Sequence, residues 1–229
     1  MTKQFAIKFF ILILILIPFV GQAQQLDFAS EVGFSPKNIS RAMPNVMGSP
    51  YVNEDYQQVR INGADNKIYS GRYNAYINEM EILVAAGRDP IALDISNNDY
   101  EVFFINENKL YKTFNYESNR GITKRGFLVV MSEENDVTVL KEEIVKYYDK
   151  VAASSSYDQD KPAKFRKEDD NYYIKLKSGR VVYLPSKDKD IAKAFPEQSK
   201  EIMTFVKKNK LKTKKEEDLI KVANFIGSL

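Results

Sequence analysis

Between Tyr51 and Lys150 the chain never runs far before it meets a cluster of turn formers. Arg88-Asp89-Pro90, Asn97-Asn98-Asp99, Asn106-Glu107-Asn108, Ser118-Asn119-Arg120-Gly121 and Glu134-Asn135-Asp136 punctuate it, roughly every ten residues, a spacing that suits short strands joined by turns. Ile91–Ile95, Tyr100–Ile105, Lys109–Tyr116 and Ile122–Ser132 lie between the clusters, and Phe127-Leu128-Val129-Val130-Met131 is the most core-like run. An antiparallel meander is expected, as a curved sheet, a sandwich or a barrel. The stretch Val137–Tyr148 fits a further strand. It also fits a helix, because Val137, Leu140, Ile144, Val145 and Tyr148 fall near one helical face.

The clearest pair of strands is Lys67–Val84, turning near Ile77-Asn78. Tyr69, Tyr73, Ala75 and Ile77 share one parity, as do Met80, Ile82 and Val84 after the turn, so each strand offers one mainly apolar face. Asn78 suits a turn because Asn tolerates a left-handed backbone. Gly71, inside the first strand, marks a bulge or a close backbone approach. Arg72, Asn74, Glu79 and Glu81 form a polar row. It reads as a binding row or, more simply, as a solvated face with cross-strand charge pairs.

Hydrophobic residues make up 44% of the 229, enough for a real core. The chain has no Cys and no His. That excludes thiol nucleophiles, disulfides, Cys/His zinc sites and a Ser-His-Asp triad, and removes the commonest general base near neutrality. The net charge of +3 is too small to imply nucleic acid.

Residues 1–23 read as a secretory signal peptide. Lys3 and Lys8 precede the apolar run Phe9–Val20, and Gly21-Gln22-Ala23 predicts cleavage between Ala23 and Gln24. The expected location is the periplasm or the outer-membrane periphery. Residues 24–50, broken by Pro36, Pro44 and Pro50, form an irregular arm, and 51–150 the antiparallel domain. Residues 151–162 form a polar linker, and 163–229 a hairpin followed by helices. Tyr172–Leu176 and Val181–Leu184 flank a Ser-Gly turn. Ser186 opens a first helix, Pro196 suits the first position of a second, and Thr213 with Glu216 makes a capping box for a third. Charge divides along the chain. Residues 24–160 carry 14 basic and 21 acidic side chains, net −7, whereas 161–229 carry 18 and 10, net +8.

Three stretches, SPYVNEDY at 49–56, RYNAYINEMEI at 72–82 and KKNKLKTKKEEDLIKV at 207–222, resemble a group of uncharacterised exported bacterial proteins with a signal peptide, a β-rich middle and a Lys-rich helical end. The resemblance implies export and a two-part α+β architecture. It implies no activity, cofactor or catalytic residue.

Lys207, Lys208, Lys210, Lys212, Lys214 and Lys215 are the candidate electrostatic contact. They suit an anionic surface or lipid, or an unknown envelope protein, and equally a solvated helix junction. Glu168-Asp169-Asp170 and Glu216-Glu217-Asp218 lack the spaced ligands of a calcium loop. Glu79 and Glu81 are the one conceivable carboxylate pair. The expectation is a non-enzymatic binding or interaction platform of the cell envelope, with no cofactor, metal or nucleic acid. The alternative is a periplasmic carrier holding an apolar ligand or lipid in a curved sheet.

Overall fold

The computed structural model describes residues 36–37, 46–64, 67–85, 87–134, 136–153 and 158–229. The signal peptide with its Ala23/Gln24 cleavage point, most of the arm and the centre of the linker lie outside the described residues. The chain is α+β. Its strands are β1 (Pro36–Lys37), β2 (Gln57–Ile61), β3 (Ile68–Asn74), β4 (Glu79–Leu83), β5 (Ile91–Leu93), β6 (Glu101–Phe104), β7 (Lys109–Glu117), β8 (Thr123–Glu134), β9 (Val137–Glu142), β10 (Val145–Tyr148), β11 (Lys164–Lys167), β12 (Asn171–Lys175) and β13 (Val181–Leu184). The helices are α1 (Asp188–Ala194), α2 (Ser199–Lys208) and α3 (Glu216–Gly227). Eleven strands form one antiparallel sheet in the order β1-β5-β4-β3-β2-β6-β7-β8-β9-β12-β13, while β10 and β11 form a separate ladder. The sheet does not close, so it is not a barrel.

Successive residues of a strand point to opposite faces, and β8 uses both. Phe127 and Val129 enter a core with Tyr73, Met80, Ile82, Phe104 and Tyr111 from the earlier strands. Leu128 and Val130 enter a second core with Tyr116, Leu140, Tyr173 and Val181. The sheet therefore curls one way before β8 and the other way after it. In the first curl the β3–β4 hairpin comes over β8, and in the second β13 comes back towards β7 without hydrogen bonding to it. The three helices cover the remaining face of β9, β12 and β13. There Ile191, Ile202, Val206, Leu219, Val222 and Ile226 pack on Val137, Val139, Ile174 and Leu184, each fully buried side chain contributing about 2 kcal/mol.

The β3–β4 hairpin turns at Ala75–Asn78, with Asn78 at a φ of 56°. The Asn74 side-chain oxygen accepts the backbone N–H of Tyr76 and of Ile77, which fixes the turn. Gly71 is a close approach and not a bulge. Both of its ladders run without a register shift, and an added Cβ would lie 2.9 Å from Val59.

Several expectations are corrected. Val137–Tyr148 is two strands, β9 and β10, broken at Glu143-Ile144, where the chain leaves the large sheet. Residues 163–229 do not stand apart from the sheet, since β12 pairs with β9, Tyr173 opposite Leu140. Thr213 and Glu216 do not form a capping box. The residue preceding α3 is Lys215, without a side-chain cap. Glu216 accepts instead from Lys141 Nζ (3.0 Å) and Tyr172 Oη (2.7 Å), because α3 lies against the sheet. Pro196 sits in the turn before α2, its carbonyl accepting the N–H of Ser199.

Candidate functional site

Four connections meet at one end of the molecule: the β3–β4 turn, the β7–β8 loop, the β9–β10 break and the β11–β12 loop. Between them lies an open cleft of about 700 Å³. They converge because the first curl brings the β3–β4 turn onto β8 just where β9 leaves the sheet. The rim carries Tyr76 and Ile122, which are 39% and 57% exposed. Arg120, Lys124 and Lys146 face Glu142, Glu168 and Asp169 around the walls.

Glu142, at the end of β9, is buried in the floor. One of its carboxylate oxygens accepts from Tyr116 Oη (2.9 Å) and Lys124 Nζ (3.2 Å), the other from Asn171 Nδ2 (3.0 Å) and Tyr173 Oη (2.8 Å). Burial alone would raise its pKa. The hydrogen bonds from Asn171, Tyr173 and Tyr116 and the charge of Lys124 outweigh burial and hold it below the ordinary carboxylate range. Burial and the Glu142 charge push Tyr116 and Tyr173 upwards. The next residue, Glu143, turns to the opposite face and accepts from Tyr111 Oη and Lys109 Nζ. Two adjacent carboxylates thus serve two different cores and do not form a pair. At the rim, Glu168 accepts from Tyr148 and Arg166, which bring its pKa down to about 2. A carboxylate saturated with donors and held anionic anchors its neighbours; a general base near neutrality needs the opposite shift.

The polar row of the β3–β4 hairpin is structural at both ends. Arg72 Nη2 lies 2.8 Å from Glu81 Oε2, and Glu81 is fully buried. The guanidinium is sandwiched between Tyr51 (3.8 Å to the ring centroid) and Tyr56 (4.4 Å). Tyr51 Oη donates to the other Glu81 oxygen at 2.8 Å, and burial, followed by Glu81, raises its pKa. Glu81 is therefore committed to holding the 51–56 segment on β4 rather than to a carboxylate pair with Glu79. Asn74 is spent on the turn.

The six lysines divide. Lys207 and Lys208 end α2, Lys210 takes a left-handed turn at φ 52°, and Lys212, Lys214 and Lys215 form part of the connection to α3. All six are exposed. The last three line a groove, which they share with Lys187, Lys189 and Lys193 of the α1 region.

The sequence reading missed the Glu142 network and the part played by the α1 lysines. The visible signal for the first is Glu142-Glu143 itself, a double charge inside the apolar alternation of VTVLKEEIV. No protein-family model, curated protein sequence or solved structure matches the chain.

Proposed function

We propose that the protein is an exported component of the bacterial cell envelope that works by binding rather than by catalysis, and that the loop-end cleft is its recognition surface for another envelope protein. The motif Lys3, Lys8, Phe9–Val20 and Ala23 supports export. The observation that carries the rest is the make-up of the cleft. Its floor charges are neutralised and immobilised by the Glu142 network, while Tyr76 and Ile122 stand exposed at its mouth. A hydrogen-bonded polar floor with Tyr76 and Ile122 exposed at a mixed rim presents a preformed surface, which lowers the ordering cost of binding. Filling of both curls by side chains such as Tyr111, Phe127 and Tyr173 favours this platform over a carrier with an apolar cavity.

The test is site-specific photocrosslinking in cells that export the protein, with a photoreactive residue at Tyr76 and, as a control, at the exposed Lys200 of α2. The expected result is a discrete envelope adduct from position 76 that disappears when Ile122→Asp is added, with none from position 200. The same adducts from both positions, or none from position 76, would overturn the proposal.

A further inference from the structure

Lysines from two separate stretches of the chain converge on one groove. Lys187, Lys189 and Lys193 come from the α1 region, and Lys212, Lys214 and Lys215 from the α2–α3 connection. The buried Thr213 holds the stretches together. Its hydroxyl oxygen lies 2.9 Å from the Ser186 carbonyl oxygen and also contacts the Asp188 carboxylate. The groove between them measures about 770 Å³.

Its charge is only partly neutralised from within. Asp188 is engaged by Thr213, and Asp190 pairs with Lys193 at 3.5 Å. Lys187, Lys189, Lys212, Lys214 and Lys215 are exposed and make no ion pair with another described residue. Six lysines against Asp188 and Asp190 leave the lining with a net charge of +4, and its ammonium groups repel one another unless a further anion joins them. The walls are mainly apolar, and Leu211 lies among the lysines. Ammonium heads on hydrocarbon stems match a bilayer interface, where the heads meet phosphates and the stems lie against the acyl boundary. A single-stranded nucleic acid would need stacking aromatics, and no aromatic residue lines the groove.

We infer that this groove docks the protein onto a bilayer through the phosphate-bearing headgroups of anionic phospholipids. The groove lies apart from the loop-end cleft, and the inference does not depend on what the cleft binds.

Vesicle flotation tests it, using the protein purified after export and vesicles of phosphatidylcholine with or without phosphatidylglycerol. Binding is expected only with phosphatidylglycerol and is expected to weaken as salt is raised. The triple variant Lys187→Glu, Lys189→Glu, Lys214→Glu should weaken it by about 100-fold or more. The charge-matched control Lys161→Glu, Lys164→Glu, Lys200→Glu should keep most of it. Far-UV circular dichroism checks that both variants fold. Equal losses in the two variants would reduce the effect to net charge and overturn the inference. Absence of phosphatidylglycerol binding would overturn it too, as would binding of soluble polyphosphate in its place.

Discussion

Asn78 completes the β-ladder opposite Phe127 with its side chain. The Phe127 N–H donates to Asn78 Oδ1 at 2.7 Å, and Asn78 Nδ2 donates to the Phe127 carbonyl at 3.3 Å. In an antiparallel ladder a residue turns both backbone groups to the same neighbour. For Phe127 that neighbour should be β9, but the β8–β9 register ends at Val129 opposite Lys141. One primary amide replaces the missing peptide and fastens the tip of the β3–β4 hairpin to β8.

Asn78→Ala should therefore cost about 3 kcal/mol, from two lost hydrogen bonds and an unfavourable left-handed backbone. Asn78→Gly, which keeps the backbone comfortable, should cost less. Gly126→Ala should resemble Asn78→Ala, because a Cβ there would lie 2.7 Å from Asn78 Oδ1. Urea unfolding measures all three, and an unchanged midpoint for Asn78→Ala would show that the clip carries no energy.

The Arg72–Glu81 pair should show the asymmetry of a buried charge. Arg72→Ala leaves a fully buried carboxylate uncompensated and should destabilise by about 3 kcal/mol or more. Adding Glu81→Gln should recover part of that loss. Equal destabilisation in the single and double variants would mean that stacking of Arg72 on Tyr51 and Tyr56, and not charge, is what matters.

Acid sensitivity should run through Glu142. A carboxylate with a folded pKa below its ordinary value of 4.5 stabilises the fold above that pH, and its contribution is lost as pH falls through the folded value. Glu216 is lowered in the same direction, and Glu168 reaches about 2. Stability should therefore fall from about pH 4.5 towards pH 2. Glu142→Gln should cost about 2 kcal/mol at pH 7 and flatten part of that slope. Thermal melts across this pH range would show an unchanged slope if Glu142 were not among the responsible groups.

Docking of α3 on β9 depends on the absence of a side chain at residue 227. A Cβ at Gly227 would collide with the Val137 side chain, so Gly227→Ala should cost about 2 kcal/mol. In a double variant with Val137→Ala the loss should be smaller than the sum of the single losses. Strict additivity would place the helix end farther from β9.

The strands were legible where polar punctuation was dense. The Asn and Asp clusters at 97–99 and 106–108 fall between strands as expected, and Asn78 takes the left-handed turn its residue type suggests. The destination of β8 was less legible. Phe127-Leu128-Val129-Val130 is apolar on both parities, which signals burial on two faces but not which cores receive them. Helix or strand for Val137–Tyr148 was undecidable by periodicity, since its apolar spacing suits both and the break at Glu143-Ile144 lies where Glu143 meets Tyr111 and Lys109 of β7, far away in the sequence. The candidate site was least legible. Glu142 draws its partners from β7, β8 and β12, and side chains brought together by a curl leave no spacing pattern in the chain. The lysine run was visible, but its division was not, because Thr213 recruits the α1 lysines through tertiary contact.

The strand order has a consequence for synthesis and transport. β6 to β9 are laid down in sequence, each beside its predecessor, but the outer edge of β9 must wait for β12, about thirty residues later in the chain. Until then β9 offers unpaired backbone groups along one side and a bare Val137–Val139 face, the combination that recruits stray strands. A chain stopped or clipped in the 151–162 stretch keeps that edge open for good. The C-terminal hairpin and helices thus act as the seal on a template for self-association.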